Sequence, residues 1–290
     1  MNPLQCCKCN ATIIGLCLAA ASGAYAQVGS INSAYINPNS IFQPQIPGSV
    51  FTSSSSGNPQ IDTLSVSLNE ANVGNPGGSG NTYANQNVWS FSNNGGTSAY
   101  NFGVNDYFNS SFTLTLSGGI PLLDMEGGFL FNNPNTDLGY GGNLQILTVG
   151  QGGNAGVIYQ AGGPSFFLFG PNGTYINGTA ITMGLNYVVD PNTGQNSFQY
   201  SVNGVFANTG GPTGTYYDIT PVNNPFGAGD TLGGYFQIQT SGNVNSPNSG
   251  TALFSDISIT SVVPEPATLA LLGLGIGVLG TVVSRRRRHI

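Results

Sequence analysis

From Ile61 onward the apolar residues of this chain recur at every second position, and that period limits its possible folds more than any other feature. Leu64, Val66 and Leu68 alternate with Ser65, Ser67 and Asn69, and Phe112, Leu114 and Leu116 alternate with Thr113, Thr115 and Ser117. Ile181, Met183, Leu185 and Tyr187 put four apolar side chains on one face. Phe198, Tyr200 and Val202 repeat the pattern, and residues 235–239 and 254–259 close the series. Successive side chains of a strand point to opposite faces, so a period of two predicts one buried and one wet face per strand. That is the logic of antiparallel sheets.

The breaks between these runs carry turn chemistry. Asp190-Pro191-Asn192-Thr193-Gly194 should reverse the chain, with Pro fixing φ and Gly free to take a positive one. Asn203-Gly204 is a two-residue hairpin signal of type I′. Residues 181–189 and 197–202 are therefore expected to be adjacent and antiparallel. Glycine pairs at 118–119, 127–128, 141–142, 152–153, 162–163 and 233–234 read as further punctuation. No long helical stripe is visible. The pattern predicts an all-β, antiparallel β-sandwich of jelly-roll type over residues 61–262. An extended β-solenoid suits the Gly/Asn-rich turns as an alternative, and the lack of a fixed repeat counts against it. Residues 27–60, rich in Asn, Gln, Ser and Pro, read as a polar lead-in, with an edge strand near residues 30–35 and irregular chain elsewhere.

Residues 27–263 contain no Lys, Arg, His or Cys, yet carry ten carboxylates. Nucleic acid is disfavoured as a partner, because its binding depends on cations neutralising phosphate. A histidine-based triad, a lysine Schiff base, an arginine phosphate clamp and a His/Cys zinc site are excluded within this span. No disulfide can form there either, so the domain is held by its core, for which the span is long enough. Carboxylates, hydroxyls, amides and aromatics remain. They suit oxygen-rich partners such as calcium, sugars or other protein surfaces.

Both ends read as addresses. Lys8, an apolar stretch over residues 12–21 and Ala24-Tyr25-Ala26 form a signal peptide over residues 1–26, to be cut by signal peptidase before Gln27. Cys6, Cys7, Cys9 and Cys17 all fall inside it. At the other end Pro264-Glu265-Pro266 precedes an apolar, Gly-rich run at 267–283 and the cluster Arg285, Arg286, Arg287 and Arg288. As a helix rising about 1.5 Å per residue, that run spans about 25 Å, slightly short of the ~30 Å hydrocarbon core. The arginines should stay on the cytoplasmic side, leaving the domain outside.

These three C-terminal parts, in this order, resemble the PEP-CTERM sorting signal of Gram-negative bacteria over residues 263–290. The resemblance implies recognition by an exosortase, a membrane enzyme that cleaves near Pro264-Glu265-Pro266, in a cell that makes an extracellular polysaccharide. A second resemblance covers residues 181–187, the turn at 190–194, residues 197–202 and Asn203-Gly204. These look like the paired back-sheet strands of concanavalin-A-like, LamG-type sandwiches.

Asp124-Met125-Glu126 is the candidate catalytic pair. On a strand such residues share a face about 7 Å apart, the outline of glycosidase acid/base machinery. Sandwich glucanases carry a third acidic residue in this series, where Leu122 stands here, and the single tryptophan, Trp89, is not nearby. Calcium is the one ion the loop oxygens suit, with Asp190, Asn192 and Thr193 in one turn and Asp137, Asp218 and Asp230 in others. No other cofactor is expected. Asn172-Gly173-Thr174 and Asn177-Gly178-Thr179 match the glycosylation sequon and are read as turns. The first expectation is a non-enzymatic exported surface or extracellular-matrix protein. A carbohydrate-binding module for exopolysaccharide comes second, and a glycoside hydrolase using Asp124 and Glu126 third.

Overall fold

A computed structural model describes residues 28–37, 46, 48–74, 82–118, 123–132, 143–149, 158–160, 167–169, 175–208, 214–219, 226, 230–241 and 248–262. After a short 3-10 turn at Val28–Ser30 come β1 (Ser33–Asn37), β2 (Val50–Ser56), β3 (Leu64–Val73), β4 (Thr82–Ser92) and β5 (Phe108–Gly118). There follow β6 (Leu123–Asn132), β7 (Asn143–Val149), β8 (Ile158–Gln160), β9 (Phe167–Phe169) and β10 (Ala180–Val189). The series ends with β11 (Asn196–Val202), β12 (Val205–Phe206), β13 (Tyr217–Asp218), β14 (Thr231–Ser241) and β15 (Asn248–Ser261).

The strands form two antiparallel sheets. One has seven strands in the order β1-β4-β14-β6-β7-β8-β9. The other has eight, with β12-β11-β10-β5-β15-β3-β2 in line and β13 paired to β11. Residues 27–60 thus contribute one edge strand to each sheet. The sheets meet through aromatic rings: Trp89 of β4 lies 6.2 Å from Phe112 of β5 and 5.6 Å from Phe254 of β15, centroid to centroid, both edge-on. Phe112 and Phe129 approach to 4.1 Å across the same gap. Edge-to-face rings add to the area they bury, and the array makes this an all-β sandwich.

The period of two found the inner face. Leu64, Val66, Leu68, Phe112, Leu114, Leu116, Met183, Leu185, Tyr187, Phe198 and Tyr200 are all buried. β10 and β11 pair antiparallel in the register Met183 to Val202 through Val189 to Asn196. The Asn203-Gly204 turn has φ of 50° and 78°, both positive as a type I′ turn requires.

Three departures have physical causes. Gly127-Gly128 and Gly233-Gly234 are not turns: they lie inside β6 and β14. A Cβ on Gly234 would stand 2.5 Å from Trp89 Nε1 and 2.8 Å from Phe254 Cε1, so the missing side chain makes room for the core rings. In β15 Phe254 and Ile257 are both buried although three apart, which strict alternation forbids. A bulge at Asp256, with φ 51°, resets the register. Lastly, the outer face of the seven-stranded sheet is not uniformly wet. Val88, Leu130, Ile146 and Tyr235 form a second, smaller buried cluster there.

Among the described residues no helix is long and apolar enough to cross a membrane. The expected signal peptide at 1–26 and membrane segment at 267–283 lie outside the described residues.

Candidate functional site

On that outer face four neighbouring strands each contribute a polar residue to one row. Gln86 of β4 is opposite Gln237 of β14, Gln237 is opposite Glu126 of β6, and Glu126 is opposite Thr148 of β7. Alternation explains the grouping: Trp89, Phe236, Met125 and Leu147 turn to the core, so their neighbours in sequence turn away from it. The amides of Gln86 and Gln237 are hydrogen-bonded, Nε2 to Oε1, at 3.3 Å. Gln86 is buried, whereas Gln237, Glu126 and Thr148 are half-buried. With strands ~4.8 Å apart, the row is about 14 Å long. The adjoining row, Val88, Tyr235, Gly128 and Ile146, supplies the apolar flank.

The row combines one carboxylate, two amides and a hydroxyl beside buried apolar surface. Amides offer donors and acceptors together, and a carboxylate accepts through both oxygens. Asp124 stands two residues before Glu126 on β6, its backbone paired with Gln239. Trp89 takes no part in this face, being fully buried between the sheets. Gln86 and Gln237 went unnoticed in the sequence because neither carries a motif. Their juxtaposition depends on β14 inserting between β4 and β6, a pairing between distant segments.

The proposed calcium ligands are dispersed or already used. Asp190 Oδ1 accepts from the Asn192 backbone at 2.7 Å and from Asn192 Nδ2 at 3.0 Å, so it closes its own turn. The turn is finished by Gly194 N donating to Asp190 O at 2.8 Å. Asp218 Oδ1 accepts from Ser197 Oγ, tying β13 to β11, and Asp230 is buried beside β14. Asp137 lies outside the described residues. Among the described residues no three His, Cys, Asp or Glu side chains gather as a metal cluster. Asn177-Gly178-Thr179 is a turn, with Gly178 at φ 84° and Gly178 N donating to Leu116 O.

A further polar group lies inside the sandwich. Glu70 continues the inward series Leu64, Val66, Leu68 and is only 1 % exposed. Its Oε1 accepts from Asn87 Nδ2 at 2.8 Å and from Asn85 Nδ2 at 3.3 Å, both on β4 of the facing sheet. Asn85 also donates to Ser49 Oγ at 2.7 Å and accepts from Ile46 N at 3.0 Å. The signal was present in the sequence: Glu70 occupies the next position of an apolar alternation, where a wet face would not place it.

Solved structures of similar fold include an alginate lyase from Pseudomonas aeruginosa, with 12 % identity, a TM-score of 0.40, and coverage of 81 % of this chain and 99 % of that one. The metal-free carbohydrate recognition domain of Emp46p has 10 % identity, a TM-score of 0.35, and coverage of 80 % and 97 %. A Bacteroides ovatus family GH16 protein of a mixed-linkage glucan locus, in complex with product, has 10 % identity, a TM-score of 0.33, and coverage of 79 % and 99 %. These likenesses concern the β-sandwich fold of lectins and lyases. Comparison with curated protein sequences finds no match. The expectation of a non-enzymatic domain does not stand, because alginate lyases and a glycoside hydrolase are among the structures that share the architecture. The fold alone is shared, so no reaction passes to this chain with it. The sorting resemblance fares differently. Residues 262–288 match the family described as the PEP-CTERM protein-sorting motif, a match that takes in Pro264-Glu265-Pro266 and Arg285 to Arg288 and implies an exported protein processed by an exosortase; the chain carries a PEP-CTERM sorting motif.

Proposed function

We propose that this chain is an exported cell-envelope or extracellular-matrix protein whose β-sandwich binds a glycan chain along the Gln86–Gln237–Glu126–Thr148 row. The observation that carries the reading is the sorting motif at 262–288. Signal peptidase removes residues 1–26, the segment 267–283 holds the precursor in the membrane, and Arg285 to Arg288 stay inside. An exosortase then cuts near Pro264-Glu265-Pro266, freeing the domain where the cell's own exopolysaccharide is the abundant partner. The polar row supports the choice of ligand, since its amides and carboxylate lie side by side next to buried apolar surface.

Glu126 on this face favours a second reading, in which the same row also acts on the glycan. Hydrolysis needs two carboxyl groups roughly 5–9.5 Å apart, and Asp124 is the available partner on β6. One experiment addresses both readings. The parent chain and the variants Gln86→Ala, Gln237→Ala and Glu126→Gln are mixed with host exopolysaccharide and a panel of β-glucans, and binding and released products are measured. Binding that weakens in the glutamine variants supports the row as the ligand site. Product release lost only in Glu126→Gln assigns catalysis to it. Equal binding by all four chains overturns the assignment of this face.

A further inference from the structure

The polar row is negative in a span that has no positive charge to offset it. Residues 27–263 hold ten carboxylates and no Lys, Arg or His. Glu126 stands half-buried within the row, with Gln237 opposite it on one side and Thr148 on the other. Asp124, whose backbone pairs with Gln239, adds a second carboxylate two positions away on β6. The remaining members are uncharged. Gln86 and Gln237 join amide to amide, Nε2 to Oε1, and Thr148 carries a hydroxyl. The buried cluster Val88, Leu130, Ile146 and Tyr235 adjoins the row and lowers the local dielectric, which extends the reach of the Glu126 charge.

We propose that the glycan taken by this row is uncharged, and that Glu126 sets that choice. The proposal rests on the row being the glycan site and adds the charge class of the ligand. Two effects point the same way. At long range, a surface of one sign repels a polyanion before contact and leaves a neutral chain free to approach. At contact, a uronate, sulfate or phosphate group set beside Glu126 loses water and meets no cation of this span in return. Proteins hold such groups with arginine forks, lysines or helix N-termini. Here the first two are missing from residues 27–263, and among the described residues the only helical turn is the three-residue Val28–Ser30. The hydroxyls of a neutral sugar suit the same set of groups. They donate to the Glu126 carboxylate, and they both donate to and accept from the glutamine amides. Glu126 is thus a specificity residue that accepts a hydroxyl and turns away an acid.

The test uses the full chain in mild detergent, with Arg285 to Arg288 all changed to Gln so that the tail cannot hold a polyanion. Binding to a panel of neutral polysaccharides and to a polyuronate is measured at low and high salt, with chelator present to prevent bridging by calcium. At least one neutral polymer should bind with little dependence on salt, because no charge is paired. The polyuronate should bind at least about tenfold more weakly at low salt, since like charges brought together cost more than that factor requires. Glu126→Lys should gain salt-sensitive binding to the polyuronate. Asp62→Lys makes the same change of net charge at an exposed position just before β3, in the other sheet, and should gain none. Glu126→Gln guards against a lysine variant that fails to fold: it should narrow the gap between neutral and acidic polymers. A parent that binds polyuronate as tightly as any neutral polymer overturns the charge class and leaves the row standing as a glycan site. An equal gain in Glu126→Lys and Asp62→Lys, or an unchanged gap in Glu126→Gln, removes Glu126 as the selector. No binding to any polymer overturns the glycan reading and this inference with it.

Discussion

Gly234 marks a point of the core where two rings crowd the backbone, and its chemistry is a matter of one carbon atom. With Trp89 and Phe254 already within 3 Å of where a Cβ would sit, Gly234→Ala must displace a ring that has no free volume to enter. Overpacking of this kind costs about 1–3 kcal/mol, and the loss should appear as a lower denaturant midpoint with an unchanged slope. Two buried phenols give the same core a pH dependence. Burial, reinforced by the charge and hydrogen bond of Asp106, holds the Tyr100 hydroxyl well above its ordinary value of 10.0. Tyr175 is raised too, again by burial, although Leu116 N and its other backbone and side-chain partners pull the other way. A raised folded value means the unfolded chain releases these protons first as pH climbs. The stability they contribute is therefore complete below about pH 10 and declines as pH rises toward the folded values. Denaturant midpoints measured across the alkaline range should fall for the parent and fall less steeply for Tyr100→Phe.

At the scale of elements, alternation exposed the inner faces because water selects against apolar side chains on only one side of a strand. The β10–β11 hairpin was readable down to its pairing, and so was the Asn203-Gly204 turn that carries β11 into β12: both turns are written in residues whose backbone preferences are local. Gly204→Val should test that reading, since a β-branched residue at φ 78° is strained by about 1–3 kcal/mol. Its thermal melt should drop, whereas Gly95→Val, at φ 72° in a loop with open space around the missing Cβ, serves as a comparison without a hairpin to break. What stayed hidden depends on contacts between distant segments. The insertion of β14 between β4 and β6 brings Gln86, Gln237 and Glu126 together across more than a hundred residues of sequence. The glycine pairs of β6 and β14 look like turns in sequence because only the facing rings explain them. Glu70 hid for the opposite reason: its place in the alternation said buried while its charge said exposed, and position prevailed.

On the scale of the whole molecule, the sandwich and the C-terminal address are expected to separate, and that expectation can be tested. β15 ends at Ser261 and the sorting motif begins at residue 262, so among the described residues no strand of either sheet lies beyond Ser261. Deleting residues 264–290 should therefore leave a folded domain, released or mislocalised instead of held in the envelope. Glu265→Ala asks a finer question. The carboxylate lies outside the apolar run at 267–283, so membrane insertion should continue, driven by that run and oriented by Arg285 to Arg288. Processing should fail, because Glu265 is the charged centre of the Pro-Glu-Pro element that the membrane enzyme is expected to read. Cell fractionation and the mass of the exported C-terminus report the outcome: the parent should lose Arg285 to Arg288, and the Glu265 variant should keep them in the membrane. A variant cut like the parent would take Glu265 out of the recognised element, whereas a mature protein that retains its arginines would make the tail a permanent anchor and leave the domain tethered to the membrane.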